Sequence, residues 1–229
     1  MKISIIIPVF NEVERLRKLL LILQENEYAH LTEIIVADGG STDGTIENVK
    51  SLQVKILLLS APSRAKQMNA AAFIATGDVL YFMHADILPV NTFYSDIQQA
   101  IEQGYEAGCY SYQFDHKNFW LRINAFFNKY NFLGLSGGGD QTLFIKKESF
   151  LSLHGFNEKF CIMEDFEFVR RIKKKYSFTI ISKEIIVSSR KYIKNNWLKV
   201  QIANIIAFTM FRLRTNPATI KLFYQKYIR

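Results

Sequence analysis

The sequence predicts an α/β protein built on a mixed, mostly parallel central sheet flanked by helices. Three observations lead there. The first forty residues spell strand, helix, strand, and parallel strands joined in that way require a right-handed crossover. Val79 to Met83 is an unbroken apolar run of strand length opened by Gly77-Asp78, as suits a strand covered on both faces. With 229 residues, 49% hydrophobic and 22% charged, the chain suffices for one substantial α/β domain, alone or with a short appendage, and its composition argues against disorder.

Taken in order, Ile3 to Val9 is a β-branched strand whose Pro8 lies near its end, where a missing donor does little harm. Asn11 is a good N-cap for the helix that follows, in which Val13, Leu16, Leu19, Leu20 and Leu23 recur at helical spacing. Ile34 to Asp38 is the second strand. Its exit, Asp38-Gly39-Gly40-Ser41-Thr42-Asp43-Gly44-Thr45, has glycines for sharp turning and three residues able to cap a helix through about Ser51. Such a loop suits either the base and ribose of a nucleotide or simply an efficient β-to-α turn. It is neither a GxxxxGK[ST] loop nor a GxGxxG motif, so neither ATP hydrolysis nor nicotinamide binding is indicated.

Val54 to Ser60 reads as a third strand and Ser63 as the cap of an alanine-rich helix. Arg64 and Gln67, three apart, share a face near that helix's N-terminus, which would suit a diphosphate or be an ordinary wet surface. The strand Val79 to Met83 delivers His84 and Asp86 together at its carboxyl end, the edge where open α/β sheets bind ligands. Two apart in an extended segment, these side chains can project to one side and share a divalent cation. A satisfied histidine and a turn aspartate is the alternative.

Beyond Pro89 the pattern gives a helix from about Thr92 to Gln103 and a strand from Ala107 to Phe114. Phe119 to Phe132 is an aromatic-rich helix, expected to cover the site, touch a membrane or join the core. Gly134 to Gln141 holds three consecutive glycines, marking close backbone approach or a hinge before the strand Thr142 to Lys146. Glu164 and Asp165 fall on the first turn of a helix whose buried face is Phe168, Val169 and Ile172. Acids are favoured there by the helix dipole, and one of them can also serve as a general base. Ser177 to Ile181 and Glu184 to Ser188 are strand-like. Trp197 to Leu213 is a helix too polar to span a membrane but suited to lie on one or pack on a partner, and Pro217 opens a last helix.

Charge is distributed unevenly. Beyond Glu167 there are fifteen Lys or Arg against the single acid Glu184, so the first 167 residues hold the other fourteen bases and twenty acids. A basic tail on a mildly acidic body fits an anionic partner as well as it fits a solvated face. Cys109 and Cys161 form no disulfide framework or metal knuckle, and the first apolar run breaks too early for a secretory leader. A cytoplasmic protein is expected, peripheral at the inner face of the membrane if the tail binds lipid.

Four stretches together resemble family 2 glycosyltransferases with the GT-A fold. They are Pro8-Val9-Phe10-Asn11-Glu12, Asp38 to Thr45, the strand ending in His84-Ala85-Asp86, and Met163-Glu164-Asp165. The chain is similar above all to a small bacterial subgroup with Arg-Ala-x-Gln-Met-Asn-Ala, His-Ala-Asp and Gly-Gly-Asp-Gln ahead of Met-Glu-Asp. Here these are Arg64 to Ala70, His84 to Asp86, Gly138 to Gln141 and Met163 to Asp165. Some members of that subgroup are assigned to arsenosugar biosynthesis. The resemblance spans about Ile3 to Tyr192 and implies a GT-A domain over 1–192 and a basic amphipathic helical tail over 193–229.

The resemblance also implies roles. Pro8, Phe10 and Glu12 would line a nucleotide pocket, with Asp38 on the base, typically uracil. Arg64 would lie near base or diphosphate, with Gln67 beside it. Asp86, with His84, would bind the Mn²⁺ or Mg²⁺ that neutralises the leaving diphosphate. Asp165 would deprotonate the acceptor hydroxyl, Glu164 would shape that site, and Gly138, Gly139, Asp140 and Gln141 would lie beside the donor sugar. The expected partners are a nucleotide sugar, a UDP-sugar first, and an acceptor that is lipid-linked or a small molecule; no nucleic acid is expected. His84 replaces the first acid of the usual Asp-x-Asp, which lowers the expected Mg²⁺ affinity while leaving an imidazole able to ligate Mn²⁺. The Gln-x-x-Arg-Trp motif of processive members is absent, so a single inverting transfer by a hexosyltransferase-type enzyme is expected. A sugar-phosphate nucleotidyltransferase and a nucleotide-sugar-binding scaffold are the alternatives.

Overall fold

The computed structural model describes residues 1–116, 118–121 and 141–228. The expected site residues Gly138, Gly139 and Asp140, and most of the expected helix Phe119 to Phe132, lie outside the described residues. The strands are β1 (Ile3–Val9), β2 (Thr32–Asp38), β3 (Lys55–Leu58), β4 (Val79–Phe82), β5 (Ile87–Leu88), β6 (Ala107–Phe114), β7 (Leu143–Lys146) and β8 (Phe178–Val187). They form one eight-stranded sheet in the order β3-β2-β1-β4-β7-β6-β8-β5. Neighbours β3 to β4 run parallel, as do β6 and β8; β7 is antiparallel to β4 and β6, and β5 to β8. The described helices are α1 (Val13–Gln24), α2 (Arg64–Ile74), α3 (Phe93–Glu102), α4 (Lys147–Ser152), α5 (Glu164–Lys175), α6 (Arg190–Lys194), α7 (Trp197–Arg212) and α8 (Pro217–Tyr227).

Alternation along β1 divides the core into two layers. Ile3, Ile5 and Ile7 join Leu16 and Leu20 of α1 and Ile97 of α3 on one face of the sheet. Ile6 turns the other way, to Met68 of α2 and to Phe168 and Ile172 of α5. Because the chain leaves β1 outward to β2 and β3 and then returns to β4 on its other side, β1 and β4 diverge at their carboxyl ends. That topological switch is the crevice on which the site is built.

Three local expectations are corrected. Asn11 is not the helix cap: it adopts φ 55°, and its side-chain carbonyl accepts from the Thr42 N–H at 2.9 Å, while Glu12 occupies the cap position. No α-helix follows Asp38 to Thr45; only a short 3₁₀ turn, Glu47–Val49, forms there. Asp43 instead accepts from the Thr45 N–H at 2.9 Å and from the Val13 N–H at 3.4 Å, spending its caps on tying this loop to α1. The two strand-like stretches after Ser177 merge into β8, with a bulge that leaves Ser182 and Lys183 opposite no partner on β6. Lys183 turns out of the ladder to Asp96 of α3 at 2.6 Å.

The C-terminal helices pack on the body. Ala207 and Phe211 of α7 and Ile220 of α8 form a small core with Phe160, Met163 and Phe166 around the start of α5. Phe166 and Phe208 place their rings 5.8 Å apart.

Candidate active site

The carboxyl end of β1 supplies Pro8, Phe10 and Glu12 to the crevice. Phe10 is exposed at its rim, and Pro8 lines a cavity of about 10 Å³ with His84, Gln141, Leu143, Phe156 and Asp165. Sheet and helices therefore bring together an imidazole from beyond β4, an amide from before β7 and a carboxylate from the first turn of α5. Their sequence positions lie far apart; the shared strand edge unites them.

Asp38 ends β2 and is 3% exposed. Its carboxylate accepts from the Gly40 and Ser41 N–H groups, each at 3.0 Å, and from the Ser41 hydroxyl. That uses three of about four acceptor positions, so the group above all shapes its own loop. Glycine is required at Gly39, where a Cβ would stand 2.7 Å from Pro62 Cα.

Gln67 departs from its expected place. It does not share the open face of Arg64 but turns inward, 2% exposed, and its Nε2 donates to Val9 O at 2.8 Å and Ala37 O at 2.7 Å. Its Oε1 accepts from the Ser63 N–H at 3.1 Å, while the Ser63 side chain makes none of the capping bonds expected of it. The reason is helix phase: α2 buries Met68 and Ala71 against the sheet, and Gln67 falls on that side. Gln67 therefore joins the ends of β1 and β2 from beneath the crevice, while Arg64 stays at the exposed rim.

Arg64 instead points to Glu164, with 4.0 Å between Nη1 and Oε1. Glu164 is buried and Asp165 half-buried on the first turn of α5, where the helix dipole favours negative charge. The preceding Met163 is held at φ 63°, a left-handed conformation costing on the order of 1–3 kcal/mol. Asn11 is left-handed too, but asparagine tolerates that conformation where methionine does not.

Arg190, which the sequence did not single out, sits at the centre of the charges. Its guanidinium donates to Glu12 at 2.8 and 3.3 Å and stands 3.4 Å from Asp86 Oδ2. Arg15 adds a bond to Glu12 at 2.8 Å. Burial alone would raise the Glu12 carboxyl, but the bonds from Arg190 and Arg15 outweigh it and hold it below the usual carboxylate range. No local signal marked Arg190, since it follows a strand 178 residues from Glu12.

His84 and Asp86 both leave the end of β4 at this edge. Among the described residues no three His, Cys, Asp or Glu converge as a metal cage. The donor set is one imidazole and one carboxylate. That fits a cation whose remaining positions are taken by phosphate oxygens and water, the usual habit of Mg²⁺-like ions beside a diphosphate.

A curled, mostly parallel sheet of this order flanked by helices is the GT-A architecture of glycosyltransferases. The chain belongs to glycosyl transferase family 2, which matches residues 4–171. It is 39% identical over 93 residues to the uncharacterized glycosyltransferase YfnE of Bacillus subtilis strain 168, a match covering 38% of this chain and 24% of YfnE. S. aureus TarS, also solved in complex with UDP-GlcNAc, shares the fold with a TM-score of 0.66 at 16% identity, over 99% of this chain and 43% of TarS. The mannosyltransferase PcManGT of Pyrobaculum calidifontis, in complex with GDP-Man and Mn²⁺, gives 0.67 at 17% identity, over 98% of this chain and 68% of PcManGT. Glucosyl-3-phosphoglycerate synthase of Mycobacterium tuberculosis, in complex with Mn²⁺, UDP and phosphoglyceric acid, gives 0.64 at 15% identity, over 92% of this chain and 78% of that one. The chain thus spans less than half the length of YfnE and of TarS.

Proposed function

We propose that this chain moves one sugar from a nucleotide-diphosphate donor, a UDP-sugar, to an acceptor hydroxyl with inversion at the anomeric carbon. The observation that carries the reading is the placement of Asp38 at the end of β2 and Asp86 just past β4, at the carboxyl edge of parallel strands, with Asp165 beside His84 and Pro8 at that edge. The fold-mates bound to UDP-GlcNAc, GDP-Man or UDP support a nucleotide-sugar site of this kind. Exposed Phe10 would stack on the base, Pro8 and Glu12 would line its pocket, and Asp38 would accept from it. Arg64 would reach the diphosphate from the rim, with Gln67 acting beneath it as a positioning residue. Asp86, joined by His84, would hold Mn²⁺ or Mg²⁺, which when bound supplies a Lewis acid for the leaving diphosphate.

Asp165 would take the proton from the acceptor hydroxyl as that oxygen attacks the anomeric carbon and the bond to the diphosphate breaks. Glu164, beside it, would keep Arg64 near the site. Gln141, with Gly138, Gly139 and Asp140, would border the donor sugar. Membership of the subgroup with Arg-Ala-x-Gln-Met-Asn and His-Ala-Asp, and a hexose as the transferred sugar, belong to the same proposal. So do the division into a transferase domain over 1–192 and a basic tail over 193–229, and a cytoplasmic location with peripheral contact between the tail and an anionic surface. The acceptor is lipid-linked or a small molecule.

Calorimetry of UDP binding with Mn²⁺, with Mg²⁺ and with chelator, on wild type and Asp86→Ala, tests the donor site. Metal-dependent binding that Asp86→Ala abolishes is expected. Binding that ignores both metal and substitution would sink the reading.

A further inference from the structure

Helix α7 is apolar on two opposite faces. Val200, Ala203, Ala207 and Phe211 are buried against the body. On the other side Leu198, Ile202, Ile205 and Ile206, with Leu213 just past the helix end, form an outward stripe. Leu198 is 58% exposed, Ile205 64% and Leu213 75%. One or two exposed aliphatics need no explanation, but five aligned on one face of a well-packed helix do.

What surrounds the stripe indicates what covers it. At roughly 3.6 residues per turn, Lys199 falls beyond one edge of the stripe and Arg212 beyond the other. Residues 193–229 hold seven Lys or Arg and no acid. At the helix start Trp197 packs on the main core and carries exposed Trp120 against it, their ring centroids 4.8 Å apart. An apolar stripe between basic margins matches a helix lying in the plane of a lipid interface. A second copy of the chain fits less well, since two such faces would bring like charges together.

We infer that the outer face of α7 docks on an anionic lipid bilayer, with the stripe in the acyl boundary and Lys199 and Arg212 at the headgroups. The inference gives the proposed anionic contact of the tail a named face, and rests on that reading. The helix lies on the bilayer rather than through it. Its 16 residues span about 24 Å against a hydrocarbon core of about 30 Å, and no helix among the described residues is long and apolar enough to cross. Because the inner face of α7 packs on Met163 and Phe166, docking brings the start of α5 to about one helix diameter, roughly 10 Å, from the bilayer.

Co-sedimentation with vesicles tests this, using phosphatidylcholine alone and an equal mixture of phosphatidylcholine and phosphatidylglycerol. Wild type should sediment with the mixed vesicles and far less with the neutral ones. Ile202→Asp with Ile205→Asp should weaken that binding about tenfold or more, as should Lys199→Glu with Arg212→Glu. Both variants should keep the wild-type UDP affinity, since none of these side chains reaches the crevice. The aspartate variant should also keep the wild-type melting temperature, since Ile202 and Ile205 face outward; only Arg212, 6.0 Å above the Phe208 ring, also contacts the body. Failure of wild type to bind either vesicle would overturn the inference. So would full binding by the aspartate variant, which would leave only a charge contact, or a dimer in sedimentation that this variant dissociates. Loss of UDP binding in wild type with vesicle binding intact would instead remove the donor reading alone.

Discussion

The Arg190 guanidinium lies 2.8 Å from Glu12 Oε1, linking the end of β8 to the end of β1, and the same nitrogen lies 3.4 Å from Asp86. One cation thus serves two carboxylates at the edge where the donor phosphates would lie. A guanidinium so held is preorganised, because Glu12 fixes its plane by two bonds.

Arg190→Ala should therefore weaken UDP binding in the presence of Mn²⁺ by about tenfold, the equivalent of roughly 1.4 kcal/mol. Arg190→Lys should recover only part of it, since an ammonium cannot make both bonds to Glu12. Calorimetry with both variants decides between a phosphate-facing residue and a purely structural clamp, for which UDP affinity would stay unchanged.

Asp165 and Asp86 should separate in their effects. Asp165→Asn removes the proposed base while keeping shape, so UDP release from a turned-over UDP-sugar should fall by roughly 10²–10⁴-fold. UDP affinity should stay within about twofold of wild type, an energy below about 0.5 kcal/mol. Loss of UDP affinity in Asp165→Asn would place this carboxylate on the donor rather than the acceptor.

Gln67→Leu should cost stability before it costs chemistry. It removes the amide donor from the Val9 carbonyl, which keeps the Gly39 N–H at 2.9 Å, and from the Ala37 carbonyl, and it leaves the Ser63 N–H without its acceptor. An unsatisfied buried acceptor costs about 1–3 kcal/mol. The melting temperature should fall by roughly 2–4 °C for each kcal/mol lost in a domain of this size. An unchanged melt would mean that water replaces the amide.

Acid sensitivity should trace in part to Glu33. Burial alone would raise its carboxyl, but Lys55, Ser4 and Thr76 donate to it and bring it from 4.5 down to about 2. A folded-state value below the unfolded one contributes stability that is complete above pH 4.5 and lost as pH falls toward 2. Denaturant melts of wild type and Glu33→Gln across that window should converge as pH drops. Parallel curves would remove Glu33 from the acid response.

The sequence by itself determined the elements whose pattern is local. The runs Ile3–Val9 and Ala107–Phe114, the helical spacing of Leu16, Leu19, Leu20 and Leu23, and the start of α5 at Glu164 all follow from short-range periodicity and burial. So did the placing of Asp38 and Asp86 at the carboxyl edge of parallel strands, because β-α-β order dictates where such ends gather, whereas the place of Asp165 beside His84 follows from packing beyond the antiparallel β7. Tertiary structure decided what hangs on contacts between distant segments. Asn11 gave up a cap to hold Thr42, Asp43 spent its helix-capping capacity on Val13 and Thr45, and Gln67 turned to carbonyls on two strands. Arg190 found Glu12 across nearly the whole chain. In each case a polar group had several partners within reach along the sequence. The one chosen is set by which groups the sheet brings side by side at its strand ends, and for buried Gln67 it also pairs polar groups that water does not reach.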